Sequence, residues 1–89
     1  MRRVRVYISG HVQGVFFRTS CADLAEELGL SGWIRNVAGG DVEAVFEGPE
    51  SDVARMLTWC REGPPLARVD RVASVEEAPT GESGFRITR

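Results

Sequence analysis

The chain has 89 residues, which is one domain with no room for a second core. Its composition, 43% hydrophobic and 27% charged, is that of an ordinary globular protein, and a formal net charge of −2 argues against a nucleic-acid partner, whose phosphates require a basic face. No apolar run approaches the roughly 18–20 residues of a membrane span, and the basic start Met1-Arg2-Arg3 runs into an alternating segment rather than a signal peptide's apolar core, so the expected setting is the cytoplasm.

Val4, Val6 and Ile8 alternate with Arg3, Arg5, Tyr7 and Ser9, the period of a half-buried strand, and the arginines read as its solvated face. From Gly10 to Arg18 the chain turns through two glycines into a helix. A strand-to-helix turn of this kind leaves backbone N–H groups unpaired beside the positive end of a helix dipole, which suits an anion. Arg18 adds a planar, permanently charged fork that matches phosphate. Plain loop chemistry is the competing reading of such a turn.

Cys21, Leu24, Ala25 and Leu28 share one helical face, which predicts a first helix from Thr19 to Leu28, stopped by Gly29. Thr19 and Ser20 are helix-start residues. Ser31 to Val37 reads as a second strand, Ala38-Gly39-Gly40-Asp41 as a hairpin turn, and Val42 to Glu47 as a third strand. A second helix opens at Gly48-Pro49-Glu50, carries the stripe Val53, Met56, Leu57, Cys60, and ends at Gly63-Pro64-Pro65. A fourth strand runs from Ala67 to Val75, with Val69 and Val72 out of phase and a bulge implied. After a loop over 79–84, Phe85 to Thr88 closes the chain as a short strand. The order β-α-β-β-α-β plus a short C-terminal strand predicts an α+β, ferredoxin-like split β-α-β fold, an antiparallel sheet with both helices on one face.

The inventory of reactive groups is short. One histidine, His11, has no second His near it and reads as an exposed loop residue. Cys21 and Cys60 lack CxxC partners, so zinc, haem and iron–sulfur sites are not expected. Helix one and helix two should run antiparallel, which lets these cysteines face each other; a disulfide and two buried free thiols are both conceivable, and the cytoplasmic setting favours the thiols. No GxxxxGK[ST] is present, which excludes a P-loop NTPase.

What remains is Arg18, the amides around it, and Asn36. Strands one and two should run parallel with strand three between them, so Asn36 lies on the same sheet edge as the 13–18 turn. Either its carboxamide is used there or it only begins the hairpin. Amides, one Arg and one Asn supply no nucleophile and no general base. They could still hydrolyse a phosphate compound whose leaving group needs no protonation, and acyl phosphates fit.

These residues carry a resemblance. Gly10-His11-Val12-Gln13-Gly14-Val15-Phe16-Phe17-Arg18 resembles the first signature of the acylphosphatase family, G-x-V-Q-G-V-x-[FY]-R. Gly32-Trp33-Ile34-Arg35-Asn36, followed at the right spacing by Gly40, Val42 and Gly48, resembles the second, G-[FYW]-[AVC]-[KR]-N-x3-G-x-V-x5-G. The likeness extends over the whole chain, with Ile34 larger than the family's usual residue. It implies a small cytosolic enzyme that converts an acyl phosphate to a carboxylate and inorganic phosphate, a monomer without metal or cofactor, nucleic acid or membrane. It further implies that Arg18 binds the phosphate with backbone amides of Gln13, Gly14, Val15, Phe16, Phe17 and Arg18, and that Asn36 orients the attacking water. A phosphate-binding module without turnover is one alternative. Another is the acylphosphatase-like domain that begins larger carbamoyl-transferring maturation proteins, against which a chain closing on its last strand is expected to stand alone.

Overall fold

In a computed structural model that describes residues 1–89, seven elements follow in order: β1 (Arg2–His11), α1 (Phe17–Glu27), β2 (Ser31–Asn36), β3 (Val42–Gly48), α2 (Glu50–Glu62), β4 (Arg68–Glu77) and β5 (Phe85–Ile87). The strands form one sheet in the order β4-β1-β3-β2-β5. β1 is antiparallel to β3 and β4, and β2 is antiparallel to β3, so β1 and β2 run parallel with β3 between them. This is the ferredoxin-like arrangement expected from the element order.

The expectation of a wholly antiparallel sheet is corrected at one edge, where β5 runs parallel to β2. The cause is the chain's path. β4 ends where β1 begins, which is also the end at which β2 starts. The segment from Ala78 to Gly84 crosses to the far edge at that end and β5 must set out beside the start of β2. Glu47, near the end of β3, accepts hydrogen bonds from the Thr80 N–H at 2.9 Å and the Gly81 N–H at 2.8 Å, holding the crossing against the sheet.

Alternation sorts each strand's side chains onto two faces. Val4, Val6 and Ile8 of β1, Ile34 of β2 and Val42, Ala44 and Phe46 of β3 are buried in one cluster with Phe17, Cys21 and Ala25 of α1 and Val53, Met56 and Cys60 of α2. Both helices therefore cover the same face. Ile34 is accommodated within that core. Cys21 and Cys60 are both buried free thiols, with the Cys21 Sγ 3.9 Å from the Met56 Sδ. Burial, and then the neighbouring Cys60, push the Cys21 thiol well above its ordinary range.

The opposite face corrects a second expectation. The β1 arginines are not a solvated row. Arg3 is 6% exposed and pairs with Glu47 at 3.1 Å, Glu77 at 3.2 Å and Glu82 at 2.7 Å. Arg5 pairs with Glu77 at 2.6 Å and Glu43 at 2.7 Å, and Arg35 shares Glu43 from the other side at 2.7 Å. The outer face is an ion-pair lattice spanning β4, β1, β3 and β2.

The bulge expected in β4 is present: Ser9 pairs with Arg71 and Gly10 with Val69, so Asp70 is skipped. Gly10 has φ +132°, and a Cβ there would run into the Arg68 carbonyl. Gly32 repeats this feature in β2, with φ +132° and the Val45 carbonyl in the way. Only glycine permits these approaches of neighbouring strands.

Candidate active site

α1 begins at Phe17, two residues before the expected Thr19. The reason lies at Phe16, which caps the helix in the left-handed conformation (φ 67°, ψ 21°) and lets the next residue enter the helix at once. Phe16 is a non-glycine residue at positive φ and its ring is 68% exposed. Its carbonyl accepts the Ser20 N–H at 3.1 Å and the Thr19 hydroxyl at 3.3 Å, so both residues do serve the helix start.

The loop between β1 and α1 is a nest of donors. Gly14 has φ +74°. From Val12 to Phe16 no backbone N–H is donated to an acceptor in the chain, and the first-turn amides of α1 have no earlier helical carbonyl to reach. The two helices differ instructively. The first turn of α2 carries Glu50 and Asp52, which offset the helix dipole. The first turn of α1 carries no acid, and no side chain caps it. Its positive end is left open to an external anion.

Each expected site residue can be placed. Val15 and Phe17 turn their side chains into the core, 5% and 1% exposed, so only their backbones face the loop. Phe17 packs on Trp59 of α2 with ring centroids 5.1 Å apart, which anchors the start of α1. Arg18 is half-buried in the first turn and forms no ion pair or hydrogen bond within the chain, unlike Arg2, Arg3, Arg5 and Arg35. A cavity of about 220 Å³ is lined by Val12, Gly14, Phe16, Phe17, Arg18 and Thr19. The unpaired Arg18 and part of the loop of undonated amides thus border one cavity.

Asn36 is the last residue of β2, opposite Val42 of β3, which in turn lies opposite Ile8 of β1. It is not among the residues lining the cavity. Its side chain shares the helix-covered face with Ile34, and its carboxamide oxygen is buried without a hydrogen-bond partner. A buried acceptor without a partner costs about 1–3 kcal/mol, so Asn36 is held at this edge at some expense of stability. His11, the end of β1, is exposed and stands outside this group.

One functional feature escaped the sequence reading. Gln13 was expected to contribute its backbone, yet its side-chain Nε2 donates to the carbonyls of Val37 at 2.9 Å and Asp41 at 2.8 Å. These residues bracket the turn that follows Asn36.

Comparison with known proteins gives the chain a family. The family model described as acylphosphatase matches residues 4–87. An acylphosphatase of Rubrobacter xylanophilus is 57% identical over 88 residues, covering 97% of this chain and 79% of that protein. Among solved structures, an acylphosphatase from Bacillus subtilis superposes with a TM-score of 0.96 at 31% identity, each chain fully covered. Full-length HypF in a phosphate- and nucleotide-bound form superposes with a TM-score of 0.91 at 27% identity, over 99% of this chain but 12% of the larger one.

Proposed function

Because the chain belongs to the acylphosphatase family and is an acylphosphate phosphohydrolase, we propose that it cleaves the carboxyl–phosphate bond by direct attack of water, in a site made of the loop amides, Arg18 and Asn36. The phosphoryl oxygens of a small-molecule acyl phosphate sit on the N–H groups of Gln13 to Arg18, with the Arg18 fork closing the cradle. The carboxamide of Asn36, at the sheet edge shared with the loop, hydrogen-bonds the attacking water and orients it toward phosphorus. The new P–O bond forms as the P–O bond to the acyl group breaks. The carboxylate leaves without needing a proton, and the water's protons end on the released phosphate or in solvent. In-line transfer spreads negative charge over the phosphoryl oxygens, which fixed donors stabilise without reorganising. The proposal keeps the single-domain, monomeric and cytoplasmic setting expected from the sequence.

The observation that carries this reading is the loop of undonated amides at the uncapped start of α1, closed by an Arg18 without an ion pair and sharing its sheet edge with Asn36. The test is hydrolysis of benzoyl phosphate in EDTA by the wild type, Arg18→Ala and Asn36→Ala. Arg18→Ala should lose both turnover and phosphate affinity. Asn36→Ala should lower kcat on the order of 10²–10³ with inorganic phosphate binding kept, by analogy with single transition-state donors. Wild-type turnover that needs added metal, or full turnover by Asn36→Ala, would overturn it.

A further inference from the structure

We infer that Gln13 is a positioning residue that sets Asn36 relative to the phosphate cradle; this rests on the roles just proposed for Asn36 and the loop. The carboxamide NH2 of glutamine has two hydrogens, and here both are committed to one turn. The first goes to the carbonyl of Val37, the residue directly after Asn36, at 2.9 Å, and the second to the carbonyl of Asp41 at 2.8 Å. The Asp41 carbonyl also accepts the Val37 N–H at 3.0 Å, the bond that closes the turn. Gln13 therefore grips the turn at both ends and reinforces its closure.

The tie is direct where the other connections are not. Through the sheet, Asn36 reaches β1 only by way of Val42, in the row Asn36, Val42, Ile8. The turn itself holds two glycines at positive φ, Gly39 at +93° and Gly40 at +96°, neither with any neighbouring atom close to where a side chain would stand. Left to itself such a segment has little to hold it. Gln13 leaves the cradle loop with its backbone N–H free for phosphate while its side chain fixes the element that presents the water. A displacement of about 1 Å between water and phosphorus suffices for losses near 10²-fold, so a tie of this geometry governs turnover without touching substrate.

Substitutions can separate this role from a structural one. Gln13→Met keeps length and approximate volume but removes both donors; Gln13→Leu removes them with a shorter, branched apolar side chain, and neither adds charge beside the cradle. Benzoyl phosphate turnover and the inhibition constant for inorganic phosphate are measured for each, in the wild-type background and in Asn36→Ala. Each variant should lower kcat about 10-fold or more while phosphate inhibition changes less than about 3-fold, with losses bounded by the misplacement effect. In the Asn36→Ala background the same substitutions should cost less than about 2-fold, because the group they misplace is already gone. Equal losses in both backgrounds, or phosphate affinity falling in step with kcat, would overturn the inference while leaving the Asn36 mechanism intact. Unchanged turnover in Asn36→Ala alone overturns the mechanism and this inference together. If one variant does not fold, the other gives the same contrast.

Discussion

Phe16 stands between helix formation and anion binding, and the conflict has a measurable size. A left-handed conformation costs an L-residue with a side chain roughly 1–2 kcal/mol, and this side chain, 68% exposed, recovers little by burial. Replacing it with glycine removes the penalty and keeps a residue tolerated at a helix N-cap. Phe16→Gly should therefore raise stability by no more than about 1 kcal/mol in urea unfolding, because glycine's freer unfolded chain offsets part of the relieved strain, with an unaltered dependence on denaturant. A loss of stability would show that the ring contributes packing that outweighs the backbone strain. At this scale the sequence was informative where chemistry is carried by residue type. Arg18 and the glycines are recognisable because few residues can replace a planar charged fork or a positive-φ turn. The role of Gln13 was not legible, since its partners are the backbone carbonyls of Val37 and Asp41, which every residue possesses and which lie 24 and 28 positions away.

Among the elements, α1 links core to site most tightly. Its first residue, Phe17, is 1% exposed against Trp59, and its second, Arg18, lines the cavity. The helix has no side-chain cap and no acid in its first turn, so packing of Phe17 is the main local restraint on its start. Phe17→Ala should cost about 3–5 kcal/mol, the range for truncating a fully buried Phe. Phe17→Leu should cost less and leave most activity in place. If Phe17→Ala instead retained wild-type stability, the Trp59 contact would not be what seats the helix. The period of apolar residues foretold both helices and their buried stripes, because a core-facing surface must repeat near 3.6 residues. It could not foretell that α1 starts at Phe17, which depends on one left-handed backbone, nor that β5 lies parallel, since three residues hold no information about which end the chain arrives from.

Across the whole molecule the two faces of the sheet are stabilised by different physics. The helix side is apolar and holds no carboxylate to respond to acid, whereas the outer side depends on carboxylates. The partners of Arg3 and Arg5 were hidden in the sequence because they come from separate segments, Glu43 and Glu47 on β3, Glu77 on β4 and Glu82 beyond it. For Glu47, the Thr80 N–H outweighs the opposing effect of burial and, with Gly81 and Arg3, holds the carboxyl below its ordinary value of 4.5. Burial acts most strongly on Glu43 and raises it, but hydrogen bonds from Arg35 and Arg5 bring it below that value on balance. Glu77 is held down first by Arg5, then by Arg3. A carboxyl depressed in the folded state contributes stability that is complete above its unfolded pKa and is lost as pH falls through the folded one. Stability should thus be level from neutrality to about pH 5 and decline below about 4.5, the ordinary Glu value, continuing downward as each carboxylate takes its proton. Glu47→Gln isolates the central group. Its amide presents donors where Arg3 and two backbone N–H groups also donate, so the variant should unfold more readily at pH 7 and show a shallower fall toward pH 3 than the wild type. Urea midpoints measured across that range decide the matter: parallel curves for the two proteins would mean that the crossing segment at Thr80 and Gly81 is held by something other than the Glu47 charge.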